Sequence, residues 1–128
     1  MREHPAVLLA QCEIYYTAKK WKSLLPIAET LLQQLPKLDF VWINRSYALH
    51  ELRRTQEAFD RLLPAAGEFP KRWFIRYNLA CYCSQLGRLK EAMKWLKEAM
   101  NLSSKKEIKA MALDDPDFEP LWKEIRAI

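Results

Sequence analysis

Glycine is nearly absent from this 128-residue sequence, which has only Gly67 and Gly87 and no stretch rich in glycine and serine. A phosphate-cradling loop needs several glycines close together, so that chemistry is excluded. The same scarcity argues against a flexible linker or a disordered tail. No apolar run approaches the ~20 residues that a membrane-spanning helix needs. The opening Met1-Arg2-Glu3-His4-Pro5 leads directly into a helical pattern without the layout of a cleaved signal peptide, so cytoplasmic residence is the expectation.

Catalytic parts are missing as well. The two histidines, His4 and His50, have no nucleophile or carboxylate at a spacing that specifies a site, and His50 reads as a polar residue late in a helix. Of the three cysteines, Cys81 and Cys83 are two apart, point to different faces of one helix and do not readily pair or share a metal. Zinc spacing of the Cys-x2-Cys or His-x3-His kind is absent, so Cys12, Cys81 and Cys83 read as small packing residues. Asp114 and Asp115 read as turn formers rather than as an acid–base pair. The expectation is a protein without catalysis, cofactor or metal.

What is present is a repeat. Ala58, Ala65 and Pro70 are answered 34 residues later by Ala92, Ala99 and Ser104, and Glu57-Ala58 by Glu91-Ala92. Units starting at Pro5, Asp39 and Trp73 make this systematic. Cys12, Ser46 and Ala80 correspond, followed by Tyr15, Leu49 and Cys83, and then by Ala18, Leu52 and Leu86. In the second halves Leu24, Ala58 and Ala92 correspond, then Ala28, Leu62 and Leu96, then Leu31, Ala65 and Ala99. Offsets of three, four and seven give one apolar helical face per half, so each unit is a helix pair. The chain, half of it apolar, then reads as one all-α domain of units 5–38, 39–72 and 73–106 with a capping segment 105–128.

Local features fit this plan. Short side chains such as Ala58 and Ala92 mark places where helices approach closely. Gly87 is suited to a turn of positive φ, while Lys19 and Arg53 hold the equivalent places, which predicts strained or differently shaped turns there. Pro36 and Pro70 end the second helices. Pro26 falls within a first turn if Ser23 is the N-cap, whereas Pro64 lies in a helix interior and predicts a bend. Lys105 to Leu113 reads as a short helix, 114–117 as a turn, and Phe118 to Ile128 as a last helix capped by Asp117. Its face of Phe118, Leu121, Trp122 and Ile125 would cover the bare end of the stack.

The third unit, Tyr77-Asn78-Leu79-Ala80 through Leu86-Gly87 to Glu91-Ala92 and Ala99, resembles the tetratricopeptide repeat (TPR) family. The second keeps Trp42, Ala58, Ala65 and Pro70 but has Arg45 where a leucine is expected, and the first keeps little beyond Tyr15 and Pro36. Residues 112–122 also look like the ending of small stand-alone bacterial members. The resemblance implies a right-handed α-α solenoid whose first helices line a concave groove that holds extended peptides or partner helices. By repeat position that groove comprises Leu9, Glu13, Tyr16, Phe40, Ile43, Asn44, Tyr47, Phe74, Tyr77, Asn78 and Cys81. Mostly apolar or aromatic, such a groove suits a protein partner with apolar anchors. Asn44 and Asn78 stand where relatives hydrogen-bond a ligand backbone, although meeting water is the plainer reading.

One variant of the family grips a chaperone's acidic C-terminus with two lysines, two asparagines and an arginine. Here the corresponding residues are Leu9, Glu13, Asn44, Phe74 and Asn78. Only Asn44 agrees and all three cations are missing, so a co-chaperone of that type is rejected. Two alternatives stay open beside a peptide-binding module. One is a cytosolic chaperone shielding an apolar segment of a secreted or assembly-prone protein. The other is an acidic or nucleic-acid partner on a basic edge of Lys19, Lys20, Lys22, Arg53, Arg54, Arg88 and Lys90, to which the net charge of +5 contributes. A pI of 9.2 is modest and no nucleic-acid motif appears, which argues against nucleic acid. A monomer or weak homodimer is expected.

Overall fold

Helices begin at Pro5, Asp39 and Trp73, the first residues of the three units read from the sequence. The computed structural model describes residues 3–128. The first unit forms α1 (Pro5–Thr17) and α2 (Trp21–Gln34), the second α3 (Asp39–Glu51) and α4 (Thr55–Glu68), and the third α5 (Trp73–Gln85) and α6 (Leu89–Leu102). After them come α7 (Lys105–Leu113), a 3-10 turn (Pro116–Leu121) and α8 (Trp122–Arg126), with no strand among the described residues. The chain falls into two compact parts, one ending at Glu68 and the other running from Phe69 to Ile128.

In the first part α1 packs on α2, α2 on α3 and α3 on α4. Leu8 and Cys12 of α1 meet Leu24, Ala28, Leu31 and Leu32 of α2, and Val41 and Ala48 of α3 join the same cluster. Burying a side chain such as Leu24 or Leu31 contributes about 1.5–3 kcal/mol, and the alanines hold the helix axes close. In the second part α5 packs on α6, α6 on α7, and the 3-10 turn returns to α5.

The three turns inside the helix pairs share one geometry. Lys20 N–H donates to Tyr15 O at 2.8 Å and Lys19 N–H to Tyr16 O at 3.1 Å. Arg54 and Arg53 repeat this on Leu49 (2.8 Å) and His50 (2.9 Å), and Arg88 and Gly87 on Cys83 (2.9 Å) and Ser84 (3.2 Å). This is the Schellman closure, and it requires a left-handed residue. Gly87 supplies it at φ 78°, whereas Lys19 at 56° and Arg53 at 63° adopt it against the preference of an L side chain. The three turns are therefore alike in shape, and the non-glycine ones carry strain.

Pro26 is placed differently from the sequence expectation. The N-cap of α2 is Lys20 and not Ser23, which places Pro26 inside the helix rather than in its first turn. α4 likewise runs without interruption through Pro64. Both rings lie on exposed faces, where water can satisfy the carbonyls they free.

The chain's end departs from a single helix. Asp115, not Asp117, is the cap, accepting from Asp117 N–H at 3.0 Å, and Pro116 occupies the first helical position. Pro120 has no N–H to give an α-helical bond, and the segment takes the tighter 3-10 form before α8 begins. Phe118, Leu121 and Ile125 are buried, and half-buried Trp122 donates its indole N–H to Ala112 O at 2.9 Å.

The strained turns give a direct test. Lys19→Gly and Arg53→Gly are each expected to raise unfolding stability by about 1 kcal/mol, and Gly87→Ala to lower it by a similar amount, in urea titrations. No atom lies within 4 Å of a Cβ built on Gly87, so that cost is conformational and not steric.

Candidate functional site

The turn at Lys19 reverses the chain and brings Trp21, the first residue of α2, beside Tyr16 in the last turn of α1. Tyr47 of α3 completes a triad. Ring centroids are 5.6 Å apart for Tyr16–Trp21, 5.9 Å for Tyr16–Tyr47 and 5.5 Å for Trp21–Tyr47, two of the three pairs edge-to-face. The triad borders an open pocket of ≈ 300 Å³ that Thr17, Lys19 and Glu51 also line. The Tyr16 hydroxyl is pushed above its ordinary pKa, by burial first and by the Glu51 carboxylate second. The phenol therefore stays protonated, leaving aromatic faces, hydroxyls and one charge of each sign at the rim.

The other expected groove residues of this part are unevenly exposed. Glu13 and Phe40 face solvent, Leu9 and Asn44 are half-buried, and Ile43 is buried. Trp21 was not among the expected residues. It opens a second helix, a position held by Thr55 and Leu89 in the other units, so an aromatic residue at that step of the repeat was the available signal.

In the second part the expected groove face is taken by the chain's own end. Tyr77 OH donates to Asp115 Oδ2 at 2.9 Å, and the Cys81 thiol to Asp117 Oδ2 at 3.2 Å. Ser84 Oγ and Gln85 Nε2 both donate to Asp117 O, at 2.9 and 2.8 Å. The fully buried Phe118 ring lies 5.1 Å from that of Tyr77. Tyr77 and Cys81 are left 5% exposed and Asn78 6%, while Phe74, stacked on Tyr77 at 6.0 Å, is half-buried. Sequence position placed Tyr77, Asn78 and Cys81 on the groove and left undecided whether that groove is open or occupied by the chain itself. The structure buries all three, with residues 115–118 held on Tyr77 and Cys81. An acidic loop followed by a phenylalanine, facing a helix of hydroxyl, thiol and amide donors, is the pairing that reading lacked.

Residues 75–106 match the tetratricopeptide repeat family. The chain carries a tetratricopeptide repeat. Its fold is similar to the TPR2B domain of yeast Sti1, from a structure titled as a complex with pHsp70 (TM-score 0.79, 16% identity, 94% of this chain and 97% of that one). It is also similar to PcrH, from a complex with the chaperone-binding region of PopB (0.71, 20%, 96% and 92%). A third similar structure is MamA MSR-1 (0.74, 23%, 80% and 59%), so this chain spans less than two thirds of the MamA chain it matches. At these identities the likeness shows the fold, that of a helical repeat. No curated protein matches the sequence.

Arg45, which stands where the repeat resemblance expects a leucine, is accommodated without disrupting the packing. The guanidinium, 4.9 Å from the Trp42 ring centre, donates to Glu29 Oε1 and to Arg61 O, each at 3.1 Å. Burial pulls its pKa down and Glu29 opposes this, as befits an arginine that is 6% exposed. Lys19, Lys20, Lys22, Arg53, Arg54, Arg88 and Lys90 are all on the surface. Arg54 is held by Glu57 through two bonds of 2.9 and 2.7 Å, which offsets its charge locally.

The three cysteines are buried and form no disulfide. Burial pushes Cys12 upward, and burial with the neighbouring Glu91 pushes Cys83 up to about 12. Tyr77 is likewise driven above the ordinary phenol range, by burial first and then by Asp115. A thiol reagent at pH 8 is expected to leave native protein unmodified and to label three cysteines after unfolding. Because the folded state holds these protons more tightly, their contribution to stability is complete below the free thiol's pKa. Unfolding titrations should therefore show stability falling as pH rises from ~9 towards 12, where the unfolded chain has already released the protons.

Proposed function

We propose that this chain is a protein–protein interaction module, without catalysis of its own, that docks a partner segment on the Tyr16–Trp21–Tyr47 triad. The observation that carries the reading is the open aromatic pocket beside those rings. Amphipathic aromatic surface supplies large contact area at low conformational cost, and a hydroxyl with a Glu51 or Lys19 charge at the rim orients what binds. In two of the similar structures a partner, or a region of one, accompanies the TPR fold, and that supports the reading. We place the protein in the cytoplasm as a single domain. No helix among the described residues is long and apolar enough to cross a membrane.

The partner class follows from what is open. With Tyr77 and Cys81 engaged by Asp115 and Asp117, the aromatic pocket of the first part is an accessible anchor site, suited to a segment with one large apolar or aromatic anchor. An acidic partner on the basic edge is the weaker reading, since Arg54 is already paired with Glu57.

Peptides selected from a random display library against the intact protein test this. Binding followed by fluorescence anisotropy should weaken about tenfold or more in Trp21→Ala and in Tyr47→Ala. It should be unchanged when Arg53→Gln and Arg88→Gln are combined. Steep salt dependence with loss in the arginine variant, and retention in Trp21→Ala, would instead assign the basic edge.

A further inference from the structure

The three rings that border the pocket of the first part face in different directions. Trp21 stands at 78° to Tyr16 and at 75° to Tyr47, and the two tyrosines are inclined at 46° to each other. All three line the same open space of ≈ 300 Å³, which is therefore walled by aromatic surface on several sides. An aromatic ring is negative on its face, and a cation within about 6 Å of its centre is attracted there. Three walls at right angles with centres ~5.7 Å apart leave ~4 Å between each face and a point in front of all three, well inside that reach. The ring centres here are 5.5 to 5.9 Å apart. A carboxylate adds to the arrangement. Glu51 lines the pocket, acts on the Tyr16 hydroxyl, and its side chain makes no ion pair or hydrogen bond among the described residues. Lys19 also borders the pocket, on an exposed stem, and is not paired with Glu51.

We propose that this pocket takes an alkylammonium cation, the methylated side chain of a lysine in the docked segment. The inference rests on the docking reading above and names the anchor. Shape favours ammonium, because a planar guanidinium stacks on one face and does not lie parallel to three inclined rings, whereas a trimethylammonium group is nearly spherical and meets them all. Hydration favours methylation. An unmodified ammonium is strongly hydrated and ring faces do not replace its water, while methyl groups present apolar surface and keep the charge. A neutral aliphatic anchor of the same shape fills the space but leaves Glu51 without a counter-charge. Lys19 is the opposing charge, and its flexible stem carries it back into water as the cation enters.

Titration of the labelled full chain with tetramethylammonium chloride, read at the Trp21 indole by NMR against equal concentrations of sodium chloride, tests the pocket without a partner. Saturable shifts are expected, with binding about tenfold weaker in Tyr47→Ala, about threefold weaker in Glu51→Gln and tighter in Lys19→Gln. tert-Butanol, similar in shape but uncharged, is expected to bind about tenfold more weakly than the cation. A peptide selected against the protein is then made with its anchor replaced by lysine or by trimethyllysine, and the methylated form is expected to bind about tenfold more tightly. The proposal is overturned by tert-butanol that binds as tightly as tetramethylammonium, or by Glu51→Gln that binds the cation unchanged. It is also overturned by a peptide that shifts the Trp21 indole and gains nothing from trimethylation, an outcome that leaves the docking reading standing. A Trp21 indole that answers tetramethylammonium but no peptide overturns both and assigns a free quaternary ammonium ligand.

Discussion

Close approach of the two helices in each pair is the constraint from which the rest of this structure follows. It depends on short side chains at the crossing and on a turn of only a few residues, and the turn in turn depends on one residue in the left-handed region. Where Gly87 provides that residue the backbone is relaxed. Where Lys19 and Arg53 provide it, the Schellman hydrogen bonds still form and the pair still closes, because burial of Leu24, Ala28 and Leu31, or of Ala58, Leu62 and Ala65, exceeds the local cost. The turn at Lys19 also shapes the aromatic pocket, since it is this reversal that places Trp21 against Tyr16.

The C-terminal segment decides which surfaces are left for a partner. Its own backbone and carboxylates satisfy the hydroxyl, thiol and amide donors along α5, and Phe118 and Leu121 remove apolar area from water. A segment anchored by a fully buried phenylalanine is part of the core and not a loosely held flap. The inner face of α5 is therefore a structural surface in this chain, and the aromatic pocket formed by α1, α2 and α3 remains open.

Much of this was legible in the sequence because repetition amplifies weak signals. The starts at Pro5, Asp39 and Trp73, the extent of α7 and the positive φ at Gly87 came from periodicity and turn chemistry. What was not legible depended on contacts distant along the chain. Nothing in the pattern of Tyr77 and Cys81 says that Asp115 and Asp117, more than thirty residues later, will accept their hydrogen bonds. Nor could spacing tell the α-helical from the 3-10 form after Asp115, where Pro120 removes a donor that an α-helix needs. Arg45 was read as a departure from the repeat, and its compensation by Trp42, Glu29 and the Arg61 carbonyl is visible only once the helices are packed.

The division between an open aromatic pocket and a closed α5 face is most directly measured by NMR, titrating the labelled full chain with a selected peptide and following the Trp21 indole together with the backbone amides. The account predicts shifts centred on Tyr16, Trp21, Tyr47 and Glu51, with Tyr77 to Gln85 and Asp115 to Phe118 undisturbed. Shifts concentrated on Tyr77, Cys81 and Asp117 with a silent Trp21 would contradict it, since the peptide would then be displacing the chain's own end from α5.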